Sequence, residues 1–189
     1  MKIGILAVQG AFIEHEKMLT QLGCECVELR KRDDLCPLDG LVLPGGESTV
    51  QNKLLHELDM FQPIKEMISS GTPTLATCAG LILLAEHISN DENACFQTLP
   101  VTVMRNAYGR QLGSFQTTSD FDGIGSVEMT FIRAPFIENV SDDVKVLATV
   151  DNRIVAAQYK NQIGMSFHPE LGKDTRIHKS FLELCSRAS

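Results

Sequence analysis

The chain has 189 residues, 43% hydrophobic and 22% charged, and a formal net charge of −7 at pH 7. That length buries a core without disulfide or metal staples, and the balance is that of a globular protein, not a disordered one. The negative charge excludes a general phosphate-backbone binder, which needs a basic face. The opening MKIGILAVQG holds one lysine and a stretch too short for a signal sequence or a membrane span, so a cytoplasmic protein is expected. Six cysteines are then expected as free thiols. Cys24 and Cys26 are separated by one residue, Cys36 precedes Pro37, and Cys95 and Cys185 have no nearby histidine pair, so no metal site is expected.

Lys2 to Val8 reads as a first buried strand. After Gly10, residues Phe12, Met18, Leu19 and Leu22 recur at helical spacing, and Gly23 ends the helix. Glu25 to Arg30 reads as a second strand, and Gly40 to Leu43 as a third that stops at Pro44. Leu54, Leu55, Leu58 and Phe61 mark one side of a helix, Pro63 begins another, and Gly71 to Pro73 precedes a strand at Thr74 to Thr77. Ala79 to Ile88 is apolar and helix-forming. This alternation predicts a parallel sheet covered on both faces. From Leu99 the rhythm changes to short β-rich runs, PVTVM, VEMTFI, KVLATV, RIVAAQY and QIGMSF, several of which should pair antiparallel. Tight hairpins are expected at Asp151-Asn152 and Asn161-Gln162. A last helix should run from Asp174 to Ser186, with Ile177, Phe181, Leu182 and Cys185 on its apolar side. With no repeat or linker visible, residues 1–189 read as a single α/β domain.

In TLATCAGLILLA an apolar strand runs into Cys78, small residues flank it at Ala76, Ala79 and Gly80, and a helix follows. This is a nucleophile elbow in thiol form: the sharp turn needs small neighbours if the side chain is to project from the sheet edge. The helix N-terminus favours a thiolate there, and the N–H of Ala79 points where an oxyanion would form. Taken alone, a buried core cysteine is an equal reading. SFHPEL tips the balance, because a strand ending in His168-Pro169-Glu170 can present the imidazole at its tip with a carboxylate two residues on to hold its tautomer. His15, His56, His87 and His178 lack such company and are expected as solvated surface groups. In LPGGES, Gly45 and Gly46 let the backbone approach a ligand or take positive φ, but the lysine of a phosphate-binding loop is missing, so a nucleotide site is disfavoured.

With LPGGES, ATCAG and SFHPEL together, the chain resembles the class I, triad-type glutamine amidotransferases. ILAVQGAF with Glu14-His15, PGGEST, RNAYGRQ, TFIRAPF and ATVDNRIVAAQ narrow the likeness, over almost the whole chain, to the family of glutaminase subunits of pyridoxal 5'-phosphate synthase. The resemblance implies a three-layer, flavodoxin-like α/β fold with a mixed, mostly parallel sheet flanked by helices. It implies Cys78 as nucleophile, His168 as acid/base and Glu170 as its orienting partner. Gly46, Glu47, Ser48, Arg105, Ile132 and Arg133 would bind L-glutamine, and Gly46 with Ala79 would form the oxyanion hole. Ammonia would pass to a synthase subunit in a hetero-oligomeric complex, with no cofactor, since pyridoxal 5'-phosphate is the product. The family commonly has glycine where this chain has Ala76, a departure that tightens the elbow without removing a reacting group. The triad itself does not fix the ammonia acceptor. A glutaminase feeding histidine or nucleotide synthesis, another cysteine hydrolase or redox sensor of similar fold, and a scaffolding subunit with a vestigial triad are the alternatives.

Overall fold

Along the first strand, β1 (Lys2–Leu6), Ile3 and Ile5 are buried on one face and Leu6 on the other, as the two-residue period of a strand requires. The computed structural model describes residues 1–92, 95–106 and 113–188, and among these the strands join one mixed 12-stranded sheet. β1 pairs in parallel with β2 (Glu25–Leu29) and β3 (Gly40–Leu43). β3 pairs in parallel with β4 (Thr74–Thr77), which pairs likewise with β12 (Gln162–Met165). The resulting order, β2-β1-β3-β4-β12, is flavodoxin-like, so the carboxyl ends of these strands form the crevice where a ligand belongs.

Helices cover both faces of this parallel part. α1 (Phe12–Gln21) and α5 (Arg176–Ala188) bury Leu19, Ile177 and Phe181 against Ile3, Ile5, Val42 and Leu75. On the other face, α2 (Ser48–Glu57), α3 (Phe61–Ser69) and α4 (Ala79–Leu84) bury Leu55, Ile64 and Leu81 against Leu6, Leu41, Leu43 and Ala76. The β3 and β4 bounds are those expected; β1 and β2 end earlier, and the last helix starts and ends two residues later. Among the described residues no helix is long and apolar enough to cross a membrane.

The second half extends the sheet with antiparallel pairs. β10 (Lys145–Val150) and β11 (Arg153–Tyr159) join through Asp151 and Asn152, whose φ values of 48° and 60° suit a tight hairpin. The next turn lies at Lys160-Asn161, one residue before the expected Asn161-Gln162, because Gln162 already pairs with Tyr159 and Thr74. The helix expected from Ala79 to Ile88 stops at Leu84: β5 (Ala85–Ile88) instead lies parallel to β6 (Leu99–Met104), with Ala85 opposite Leu99 and Ile88 opposite Val103. A hydrogen-bonded edge for these residues overrides their helical propensity. β7 (Ser114–Phe121) pairs along its whole length with β8 (Gly125–Ile132), and β9 (Phe136–Val140) joins β6. Of RNAYGRQ, Arg105 and Asn106 are described and residues 107–111 lie outside the described residues.

α4 lies hard against β3. A Cβ added at Gly80 would sit 2.0 Å from the Leu43 carbonyl oxygen, a backbone atom with no room to retreat. Gly80→Ala is therefore expected to lower stability by about 1–3 kcal/mol, read from urea unfolding midpoints. An unchanged midpoint would contradict this packing.

Candidate active site

Four loops converge at the carboxyl ends of the parallel strands: Gln9 to Ala11 after β1, Pro44 to Glu47 after β3, Cys78 after β4, and His168 to Glu170 beyond β12. Cys78 is the residue where β4 turns into α4. Its φ of 47° and ψ of −100° fall outside the regions open to an ordinary L-residue, a strain of about 1–3 kcal/mol that the packed strand and helix hold in place. Its N–H bonds to Met165 O at 2.8 Å, and Leu43 and Gly164 flank Ala76 in the sheet, so the alanine expected to tighten the elbow fits inside it.

β12 ends at Met165, three residues before His168, so the imidazole stands on the following turn and not on the strand tip. That turn is fixed by His168 N–H bonding to Thr130 O at 2.9 Å. His168 Nδ1 lies 2.7 Å from Glu170 Oε1, both side chains being buried, and the Cys78 thiol lines the same cavity wall as the ring and interacts with it. Burial lowers the pKa of His168, but the hydrogen bonds and negative charge offered by Cys78 and Glu170 outweigh it and push it up to about 10. Burial also works to raise the Glu170 pKa, yet the facing His15 and the His168 bond hold it below the usual carboxylate value. A protonated ring thus sits between thiol and carboxylate. The Cys78 Sγ also points to Ile132 O at 3.9 Å.

The glycine loop touches the same ring. A Cβ on Gly45 would fall 2.3 Å from His168 Cε1, so glycine is required there by close approach. Neither Gly45 nor Gly46 has positive φ, which corrects the expectation from the dipeptide alone. The loop is pinned: Gly45 N–H donates to Thr77 Oγ1 at 3.0 Å, Ala11 N–H donates to Gly45 O at 2.9 Å, and Glu47 N–H donates to Gln9 Oε1 at 2.8 Å. Glu47 caps α2, accepting from Thr49 N–H and Val50 N–H at 3.2 and 2.9 Å. Arg105 reaches both Glu47 Oε1, at 3.2 Å, and Asp91.

A cavity of about 430 Å³ opens between these loops, lined by Gly46, Glu47, Ser48, Cys78, Ala79, Arg105, Ile132, Arg133 and His168. Every residue expected at the site except Glu170 lines it, and Glu170 stands behind His168. Gln9, Gly10, Ala11, Ile82 and Asn106 also line it; AVQGAF was a visible segment, but nothing in its composition marked Gln9 as a loop anchor. The larger correction concerns His15 and His178. Both were expected at the surface and both are fully buried, His15 facing Glu170 and His178 bonded behind His15 with its ring tilted by 53°; His56 and His87 are exposed as expected. Both histidines lie on the buried faces of α1 and α5, a three-dimensional fact that local polarity did not reveal. Among the described residues no group of three or more His, Cys, Asp or Glu side chains is placed to hold a metal ion.

A buried imidazole between a carboxylate and a thiol at a strained strand-to-helix turn is the constellation of the cysteine hydrolases. The chain matches the SNO glutamine amidotransferase family over residues 5–187 and belongs to that family. It is similar to the protein named pyridoxal 5'-phosphate synthase subunit PdxT of Desulfitobacterium hafniense (strain DSM 10664 / DCB-2), 63% identical over 187 residues, covering 98% of this chain and 94% of that protein. The protein of the same name from Streptococcus pneumoniae (strain CGSP14) is 56% identical over 189 residues, covering 98% and 97%. A solved structure described as a glutamine amidotransferase superposes with a TM-score of 0.93 at 39% identity, covering 97% of this chain and 98% of that one. A glutamine amidotransferase from Thermotoga maritima, at 16% identity and a TM-score of 0.63 over 99% of this chain and 83% of that one, shares the fold.

Burial lowers the pKa of His15, and it lowers that of His178 to about 3. Both rings are neutral in the folded protein, whereas an unfolded chain takes up their protons near pH 6.5. Between those values the unfolded state binds more protons, so stability is present above pH 6.5 and is lost as pH falls toward 3. His168, raised above 6.5, is protonated in both states below that pH and adds no slope there. His178 alone should remove about 2 kcal/mol of stability between pH 6.5 and 5. Urea midpoints at constant ionic strength should fall over that window, and less steeply in His178→Gln; a flat profile would contradict the neutral pair.

Proposed function

We propose that the chain hydrolyses L-glutamine to L-glutamate and ammonia through Cys78, His168 and Glu170, and delivers the ammonia to a synthase subunit that makes pyridoxal 5'-phosphate. The observation that carries this reading is the His168 ring held 2.7 Å from Glu170 and sharing with Cys78 the wall of a cavity large enough for glutamine. The two relatives named as pyridoxal 5'-phosphate synthase subunits support the destination of the ammonia. Residues 1–189 would act as one amidotransferase domain, in the cytoplasm, on protein side chains alone and without a cofactor.

The Cys78 thiolate attacks the side-chain amide carbon, and the carbonyl π electrons move to oxygen. N–H groups of Gly46 and Ala79 hold that oxyanion; Ala79, first in α4, has no acceptor within its helix. The tetrahedral centre collapses as His168 gives its proton to the departing nitrogen, releasing ammonia and leaving a glutamyl thioester. The now neutral imidazole takes a proton from water, which attacks the thioester carbon and expels the thiolate with glutamate. Glu170 holds the ring's orientation and stabilises its charge throughout. At the other end of the substrate, Glu47 would meet the α-ammonium and Arg105 with Arg133 the α-carboxylate, while Ser48 and the Ile132 backbone fit the chain between.

The pinned glycine loop gives a reason for control by the partner. With Gly45 N–H given to Thr77 and Glu47 N–H to Gln9, a rearrangement of the loop on docking would change what the oxyanion meets. Glutamate release measured on purified protein should be low for the isolated chain and rise at least about tenfold with synthase subunit. In Cys78→Ala it should drop by about 10³-fold or more in both conditions. Near wild-type release by Cys78→Ala would end the nucleophile assignment, and equal rates with and without partner would end the activation.

A further inference from the structure

Behind the triad lies a second line of polar groups that the mechanism above leaves unused. Glu170 spends Oε1 on His168. Its other oxygen, Oε2, is fully buried and accepts no hydrogen bond among the described residues; Nε2 of His15 faces it at 3.4 Å without making one. The same Nε2 lies 3.2 Å from Thr77 Oγ1, the hydroxyl that receives the Gly45 N–H. On its far side, His15 Nδ1 is 3.0 Å from His178 Nε2.

The protons in this line can be placed by elimination. An ionised Glu170 faces Nε2 of His15, and a bare nitrogen lone pair toward a buried carboxylate would be repelled, so Nε2 carries the hydrogen. A neutral ring then leaves Nδ1 as an acceptor, and His178 must donate from its own Nε2. That leaves His178 Nδ1 bare, and it is a buried nitrogen with no hydrogen-bond partner among the described residues. Burial, which disfavours charge on both rings, agrees with one proton on each.

From this geometry we infer that His15 is a positioning residue: its Nε2–H, bonded to Thr77 Oγ1 and set 3.4 Å from the second oxygen of Glu170, turns a positive edge to the triad carboxylate and links it to the glycine loop. His178 sets the tautomer that makes this possible. The inference rests on the triad reading of the site. His15 touches neither substrate nor reacting atoms in this arrangement; it bonds the hydroxyl that holds Gly45 and turns its Nε2–H edge toward the carboxylate that holds His168. The groups facing it are Glu170 and His168 from the turn after β12, Thr77 from β4, His178 from α5, and Glu14 from its own helix.

The test is a series at residue 15, assayed for glutaminase activity in the presence of saturating synthase subunit. His15→Gln puts an amide N–H near the place of Nε2, His15→Asn puts one near Nδ1 only, and His15→Leu has neither. His15→Asn and His15→Leu should lose about 10- to 100-fold in kcat with KM for glutamine changed less than about 3-fold, and His15→Gln should recover most of the loss. Without the Nε2 donor the charged form of Glu170 is less favoured, so the acid limb of the kcat profile should move to higher pH in His15→Asn and His15→Leu but not in His15→Gln. If His15→Leu does not fold, the Gln and Asn pair still decides. Equal kcat in those two, or an acid limb that stays put, would overturn the inference. Cys78→Ala in the same assay separates the two levels: if it remains active the triad reading fails, and if it is inactive while the residue 15 series is flat, only the role of His15 fails.

Discussion

Cys78 is held at φ 47°, ψ −100° because β4 and α4 are each packed too closely to let the turn between them relax. α4 cannot lift, since Gly80 lies on the Leu43 carbonyl, and β4 cannot slide, since it is paired on one side with β3 and on the other with β12. Those same two neighbours carry the rest of the site. The loop after β3 supplies Gly45 and Gly46, and the turn after β12 supplies His168 and Glu170. Parallel registration of three strands therefore sets the distance between thiol, imidazole and glycine loop before any side chain chooses a rotamer.

Within that frame the electrostatics form one continuous line. A thiol and a carboxylate flank the His168 ring and keep it protonated, while the carboxylate is itself kept charged by the bond from His168 on one oxygen and has His15 facing the other. Burial penalises every one of these groups, so each is tolerable only because its neighbour supplies a donor or a charge. The consequence is a site whose parts cannot be altered singly: Thr77 serves the glycine loop and His15 at once. A partner that moved the loop would thereby act on the same hydrogen-bond set that orients the carboxylate.

Much of this was legible in the sequence. Gly40 to Leu43 and Thr74 to Thr77 are apolar runs cut off by a proline or by Cys78, and short buried strands with sharp ends are read easily from such runs. The three motif segments likewise announce themselves by chemistry that ordinary turns do not need. What local pattern could not carry was decided at a distance. Ala85 to Ile88 looks helical until β6 offers it a partner, and Ser114 to Phe121 is too polar to read as a strand until β8 pairs with it residue for residue. His15 and His178 looked like surface groups because each is surrounded in sequence by charged neighbours; they are buried because α1 and α5 pack on the same face of the sheet, behind Glu170. The requirement for Gly45 was visible, but its cause, contact with an imidazole encoded 123 positions later, is tertiary.

The central claim is that one of six cysteines attacks the glutamine side-chain amide, and covalent capture tests it most directly. The complex with synthase subunit is incubated with a diazoketone analogue of glutamine, digested, and analysed by mass spectrometry, with and without L-glutamine present. A single adduct on the Cys78 peptide, formed stoichiometrically and suppressed by L-glutamine, is the result predicted. An adduct on a different cysteine, or labelling of Cys78 that glutamine does not slow, would contradict it.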